Sequence, residues 1–223
     1  MFLITAATAF ELEPFVARMG ELGNCSTLVT GVGLVETAVN LALYLGQQHQ
    51  QVQSLQAVIN IGIAGAFIKK NNQAQMLDIC LAEQEVLGDF GICFGERMEP
   101  FAQGGFAGPN RFLLDASLIE RAEQILAREQ IVCKRGVFVT VNGVSATLER
   151  GDHFVHLYDG CCENMEGAAV ARVCQAFGVP MLEIRCISNM VEVRDKKKWQ
   201  IQPALQRCGE VAAKVVKELA GGK

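Results

Sequence analysis

One continuous apolar segment near the middle of the chain most constrains the fold. Residues 57–61 read Ala-Val-Ile-Asn-Ile and run directly into a glycine-rich segment at 62–66. A strand without polar alternation is typical of a sheet that is covered on both faces. Further strands are expected at 1–7, 26–30, 77–86, 132–141, 161–164 and 179–188. The pattern therefore predicts a sheet that is buried between layers of helices.

Segments with helical spacing alternate with these strands. Helices are predicted from about residue 11, and at 34–48, 116–129, 166–177 and 203–219. Alternation of this kind predicts a largely parallel α/β sheet, with a ligand site beyond the carboxyl ends of the strands. The chain shows no repeat and no linker composition, so we expect a single domain spanning residues 1–223. The glycine-rich segment 88–108 is predicted to be a long loop.

Charge and composition exclude several classes of protein. The net charge of −4 supplies no basic field for nucleic acid. No apolar run approaches the ~18 residues of a membrane span, and the apolar start lacks the basic flank of a signal peptide. Nine cysteines, two of them adjacent, fit reduced cytosolic thiols better than a disulfide framework. We expect a cytoplasmic protein that binds neither nucleic acid nor membrane.

Two local motifs are given simple structural interpretations. Gly31-Val32-Gly33 follows a strand and opens a helix, but Glu36 replaces the third glycine of a dinucleotide fingerprint, so a tight turn is predicted. His153 and His156 precede a pair of adjacent cysteines, which cannot easily aim both sulfurs at one tetrahedral metal. We predict no metal site and no cofactor.

Two strings near the ends of the last strands resemble the signature of the nucleoside phosphorylase and nucleosidase superfamily. Residues 164–169 read Asn-Met-Glu-Gly-Ala-Ala, and residues 184–189 read Ile-Arg-Cys-Ile-Ser-Asn. The motif at 60–65 and an acidic cluster after the first strand support the resemblance, which covers essentially the whole chain. Within the superfamily, segments 140–147 and 187–199 resemble the futalosine hydrolase family, which acts in an alternative route to menaquinone. The resemblance implies an α/β phosphorylase/hydrolase-like fold with a central mixed, mostly parallel sheet flanked by helices.

The resemblance also implies a purine nucleosidase, and it assigns the residues of the site. Glu13 matches the carboxylate that positions and activates the water, Glu166 the carboxylate that binds the ribose hydroxyls, and Arg185 the arginine that helps to order the water and Glu166. The expected substrate-binding residues are Gly62, Ile63, Ala64, Val144, Met165, Arg194 and Trp199. The substrate is expected to be a small nucleoside, and the protein a homo-oligomer, either a dimer or larger.

Asn189 and Ile63 are informative departures from relatives. Relatives that cleave 6-aminopurines carry aspartic acid where this chain has Asn189, and asparagine has no titratable proton. Its amide can donate to purine N7 and a 6-oxo group, which favours hypoxanthine, the base of futalosine. Phosphorylases place arginine at Asn60 and use serine near Ile63, so water is the expected nucleophile. A methylthioadenosine or adenosylhomocysteine nucleosidase, a purine nucleoside phosphorylase and a silent nucleoside sensor stay open as alternatives.

Overall fold

A computed structural model of the chain describes residues 1–21, 23–47, 54–71, 73–94, 97–101, 108–192 and 195–221. The strands of this part are β1 (Phe2–Ala6), β2 (Cys25–Val29), β3 (Ala57–Ala66), β4 (Ile79–Leu87), β5 (Gly91–Phe94), β6 (Arg97–Pro100), β7 (Arg111–Leu113), β8 (Cys133–Thr140), β9 (Gly160–Asn164) and β10 (Met181–Met190). The α-helices are α1 (Ala9–Met19), α2 (Leu34–Gln47), α3 (Ala116–Arg128), α4 (Leu148–Tyr158), α5 (Gly167–Phe177) and α6 (Ile201–Gly221).

The main sheet closes on itself over part of its width. Its eight strands include the path β10-β4-β8-β9-β3-β1-β2, with β7 on β4, and β10 also pairs with β3. Five strands, β3, β10, β4, β8 and β9, therefore form a ring. Five pairings are parallel, those of β1 with β2 and β3, β3 with β10, and β8 with β4 and β9. Three are antiparallel, so the predicted mixed, mostly parallel sheet is confirmed.

Helices cover both sides of this sheet. Helix α6 packs on α1, β10 and β3, while α2 packs on α5. The strand residues that face these helices are aliphatic and fully buried, including Ile4, Ile59 and Ile184. None of the helices in the described ranges is long and apolar enough to span a membrane. All nine cysteines are free thiols.

The secondary structure differs from the prediction in several places, and the short strand β7 is one of them. Residues 91–94 and 97–100, expected to be loop, form the antiparallel strands β5 and β6, and residues 95–96 and 102–107 lie outside the described part. The polar segment after 142 contains α4, which Thr147 caps by accepting a hydrogen bond from Arg150 N. Strand β3 continues through its glycines to Ala66, because β9 and β10 both pair with that segment.

Candidate active site

A cavity of about 480 Å³ opens where β1, β3, β9 and β10 end, which is the place that an α/β sheet predicts. Most of the residues expected in the site line it: Ile63, Ala64, Val144, Met165, Glu166, Arg185, Asn189 and Trp199. The other lining residues include Thr8, Phe10, Glu11, Glu163 and Ser188. The structure thus brings together residues that lie up to 198 positions apart in the chain, from Ala7 to Leu205.

Helix α1 presents the carboxylate of Glu11 to this cavity. The sequence predicts Glu13 for this place, and that prediction is wrong. Residues two apart on a helix do not share a face, and Glu13 is exposed to solvent outside the cavity. Glu11 is held by a capping box, in which its Oε2 accepts from Thr8 N at 3.1 Å and from Thr8 Oγ1 at 3.0 Å. Its Oε1 accepts from Ile63 N at 3.2 Å. The sequence Thr8-Ala9-Phe10-Glu11 carries the capping-box signal that identifies this position.

Burial dominates the electrostatics of Glu11. It raises the pKa of Glu11 above the ordinary value of 4.5, Arg185 opposes the rise, and the charge of Glu166 adds to it. A carboxyl group with a raised pKa binds a proton more readily than an exposed one, which suits exchange of a proton with water at the reacting centre.

Glu166 stands at the N-terminus of α5, but its side chain does not cap that helix. Its Oε1 accepts from Gly33 N at 3.1 Å, and its Oε2 lies 3.4 Å from Arg185 Nη2. Gly31 and Gly33 both have positive φ angles, so the predicted tight turn is present. This turn supplies the backbone donor that holds Glu166.

Arg185 connects the carboxylates of the site from a position 1% exposed. Its Nε donates to Glu183 Oε1 at 2.9 Å, and its Nη1 donates to Ile63 O at 3.3 Å. Burial alone would lower the pKa of Arg185, but the charges of Glu183, Glu166 and Glu11 raise it. Arg185 therefore stays charged and fixes the carboxylates around it.

A β-bulge in β10 displaces the end of that strand. The register with β3 shifts between Ile187 and Asn189, and both Ser188 and Asn189 line the cavity. Ser188 Oγ donates to Asn189 Oδ1 at 2.9 Å, which fixes the direction of the amide. A Cβ on Gly65 would lie 3.0 Å from Asn189 Nδ2, so the glycine leaves room for that group.

The other residues that the sequence predicts for the site do not all lie in the cavity. Val144, Met165 and Trp199 form apolar parts of the wall. Gly62 does not line the cavity. The side chain of Glu11 lies next to this glycine, and a Cβ on Gly62 would be 2.6 Å from Glu11 Oε1. Arg194 lies outside the described residues.

Glu163 is a cavity residue that the sequence analysis did not single out. Its carboxylate accepts from Ser145 N at 2.9 Å and from Ser145 Oγ at 2.6 Å, and the residue is buried. Its place next to the Met-Glu motif on a strand that ends at the site was the available signal. Across the described ranges, no three His, Cys, Asp or Glu side chains form a group that could hold a metal ion.

Fold and sequence together define the class to which the chain belongs. The sequence model of the phosphorylase superfamily matches residues 8–220, and the chain belongs to that superfamily. A futalosine hydrolase from Thermus thermophilus is 32% identical over all of this chain and 98% of the relative. A 5'-methylthioadenosine/S-adenosylhomocysteine nucleosidase from Staphylococcus saprophyticus is 27% identical over 78% of this chain and 72% of the relative.

Solved structures share this fold. A futalosine hydrolase mutant of Helicobacter pylori superimposes with a TM-score of 0.82, covering 97% of this chain and 98% of the other at 22% identity. The predicted resemblance and fold class are thereby confirmed.

Proposed function

We propose that the protein hydrolyses the N-ribosidic bond of futalosine, releasing hypoxanthine and dehypoxanthine futalosine. The observation that carries the proposal is the buried arrangement of Glu11, Arg185 and Glu166 at one wall of a cavity that has Asn189 at another. The similarity to a full-length futalosine hydrolase supports the choice of substrate. The step belongs to the alternative menaquinone route that uses futalosine.

The two carboxylates have separate tasks in this reaction. Cleavage of a ribosidic bond passes through a sugar with oxocarbenium character, as in glycosidases. Glu166, charged and fixed by Gly33 N and Arg185, binds the ribose hydroxyls and stabilises the developing positive charge. Glu11 accepts the proton of the attacking water, and the positive charge of Arg185 keeps the carboxylates of Glu11 and Glu166 in position.

Asn189 reads the base and stabilises its departure. Its Nδ2 donates one N–H to Met190 O at 3.3 Å, and the other N–H is available to purine N7 and the 6-oxo group, while the Ser188 hydroxyl fixes the orientation of the amide. An adenine presents an amino donor at this position, so the amide donor would face another donor. The methylthioadenosine nucleosidase alternative is disfavoured on this ground.

The surroundings of Asn60 favour water over phosphate as the nucleophile. Asn60 is 1% exposed, its Oδ1 accepts from Thr5 Oγ1 at 3.0 Å and its Nδ2 donates to Glu183 Oε1 at 3.0 Å. The side chain is thus engaged away from the cavity. Ile63, which lines the cavity, has no polar side-chain atom to offer a phosphate.

The far end of futalosine carries a carboxyphenyl ketone in place of the 5'-hydroxyl. Trp199, half-buried on the cavity wall, covers the aromatic ring, and Arg194 binds the carboxylate through paired hydrogen bonds. This assignment rests on the substrate proposal and on the sequence position of Arg194.

The subunits associate through an apolar face of α2. Val35 (73% exposed), Val39 (50%) and Leu43 (57%) recur every fourth residue, on one side of the helix. The exposed Val32 and Phe10 line the cavity and extend the apolar surface to its mouth. A second copy of the chain is the proposed occupant, because a homodimer would cover this face and narrow the cavity. The free thiols support a cytoplasmic location.

A product assay tests the function directly. Futalosine, inosine and methylthioadenosine are each incubated with the protein, with and without phosphate. We expect hypoxanthine from futalosine at a rate that phosphate does not change. A preference for methylthioadenosine, or a sugar 1-phosphate formed only with phosphate, would overturn the proposal.

A further inference from the structure

The interior of the five-stranded ring holds a network of buried polar side chains behind the cavity. Each strand contributes to it: Asn60 from β3, Glu85 from β4, Thr140 from β8, Asn164 from β9 and Glu183 from β10. Glu85 Oε2 accepts from Thr140 Oγ1 at 2.6 Å, and its Oε1 accepts from Asn164 Nδ2 at 2.7 Å. The reaction proposed above uses none of these side chains directly.

Two carboxyl groups of this network meet beneath Gly167. A Cβ at that glycine would lie 2.5 Å from Glu85 Cδ and 2.6 Å from Glu183 Oε2. Both glutamates are 0% exposed. Glu183 Oε2 is buried and accepts no hydrogen bond from a described N–H or O–H donor. Two adjacent carboxylates cannot both ionise cheaply in such a place, so a proton between them is required.

We propose that Glu85 is a protonated carboxylic acid that donates its proton to Glu183 Oε2, and that the pair, with one negative charge, positions Arg185. The acid then satisfies the buried oxygen of Glu183. The negative charge belongs on Glu183, because its Oε1 faces the charged Nε of Arg185 at 2.9 Å, whereas Glu85 meets the neutral donors Thr140 and Asn164. The role in catalysis rests on the function proposed above.

The groups around the pair agree with this distribution of charge. Burial raises the pKa of Glu85 well above 4.5, and the charge of Glu183 raises it further. Burial also raises the pKa of Cys162 on β9 well above 9.0, and that of Cys174 on α5 to about 12, so both thiols are neutral. The other charged groups of this region are Arg185, which contacts Glu183, and Glu166 and Glu11, whose charges act on Arg185.

The position of Arg185 explains why such a pair is useful to the enzyme. Arg185 Nη2 also approaches Asn164 Oδ1 at 3.5 Å and Glu166 Oε2 at 3.4 Å. A single charge on Glu183 binds the Nε side of the guanidinium, so that Nη1 and Nη2 stay directed towards the cavity. A second charge on Glu85 would draw Arg185 away from Glu166 and destabilise the ring. Glu85 and Glu183 are thus positioning residues.

The first experiment measures the proton without any substrate. A group that is protonated in the folded state but ionised in the unfolded state makes the unfolding equilibrium constant rise about tenfold per pH unit between its two pKa values. Denaturant unfolding is followed from about pH 5.5 to pH 8 for the wild type and Glu85→Gln. We expect the slope of the variant to be smaller by one proton. The matched control Glu83→Gln, on the same strand and paired with Arg135 at the surface, keeps the wild-type slope.

The second experiment assigns the proton and the charge within the pair, with whichever nucleoside the enzyme cleaves as substrate. Glu85→Gln keeps a neutral donor, and its expected loss in kcat is within about fivefold, the cost of one neutral hydrogen bond. Glu183→Gln removes the charge that faces Arg185, and kcat is expected to fall about ten- to a hundredfold. Glu83→Gln is expected to have wild-type activity.

Each outcome decides one part of the proposal. Equal slopes in the wild type and Glu85→Gln would show that no proton is held, and would overturn it. The reverse order of activities, with Glu85→Gln the severe variant, would place the charge on Glu85 and overturn the assignment. If a variant does not fold, the infrared carbonyl band of a protonated carboxylic acid in the wild type at about pH 7 decides the question, since its absence contradicts the shared proton. Because the slope and the band need no substrate, their result is independent of whether futalosine is cleaved.

Discussion

The position of Glu11 in the cavity favours it as the water-activating carboxylate, whereas the sequence resemblance favours Glu13. Replacement of Glu11 by glutamine tests which of the two carboxylates has this role. Glutamine is nearly isosteric but cannot accept the proton of the attacking water. General-base assistance typically contributes about 10²–10⁴-fold, or roughly 3–5 kcal/mol of barrier, so kcat on futalosine should fall by that factor. Glu13→Gln is the matched control, because Glu13 is exposed on the same helix.

The same substitution has a stability cost that follows from its hydrogen bonds. Glu11 accepts from Ile63 N, Thr8 N and Thr8 Oγ1. In either orientation, the amide NH₂ of glutamine would face one of the two backbone donors, which costs about 1–3 kcal/mol. Turnover must therefore be measured at a temperature well below the thermal unfolding midpoint of the variant. Glu13→Gln should change the unfolding free energy by less than about 0.5 kcal/mol.

The pattern across the two variants tests the reasoning. Hypoxanthine release under saturating futalosine gives kcat, and denaturant titration gives the unfolding free energy. Near-native turnover in folded Glu11→Gln would refute the assignment of Glu11. Loss of turnover in Glu13→Gln alone would restore the expectation from the resemblance and show that the helix presents its other face.

Four further predictions test other parts of the site and surface. Because the pKa of Glu11 is raised and only its ionised form accepts a proton, kcat/KM should decline toward acid through a pKa above 4.5, and a decline centred at 4.5 or lower would contradict the effect of burial. Asn189→Asp should lower the ratio of inosine to adenosine cleavage by a factor that corresponds to about 1–3 kcal/mol in activation free energy. An unchanged ratio would show that Asn189 does not recognise the base. Arg194→Ala should raise KM for futalosine and leave the weak activity on inosine unchanged, and equal losses on both would indicate a structural role. Val39→Glu should shift the protein from dimer to monomer in light scattering after gel filtration, and an unchanged mass would remove α2 from the interface.

The sequence predicts most of the architecture because its signals are local. Apolar runs such as residues 57–61 locate buried strands, and helical spacing locates the helices between them. Helix α4 was missed since its first half is mostly polar, although Thr147 marked its start. The error at Glu13 has a similar origin: two nearby acids look equivalent in a motif, and only the capping box decides which one the helix turns inward.

The network inside the ring could not be predicted in the same way. Glu85 and Glu183 lie on strands that no local pattern brings together. Their meeting depends on the closure of β10 onto both β3 and β4. A pairing between distant segments leaves no periodicity in the sequence.

Gly167 has a consequence for the evolution of the superfamily. Since even a methyl group there would collide with both Glu85 and Glu183, the three positions cannot change independently. A relative with a side chain at the position of Gly167 is expected to lack both acids, and a lineage that gains either acid is expected to have acquired the glycine first. The order of these substitutions along a phylogenetic tree should therefore be fixed, with glycine preceding the acid pair. Resurrected ancestors that carry the glycine with neither acid would be the expected intermediates on that path.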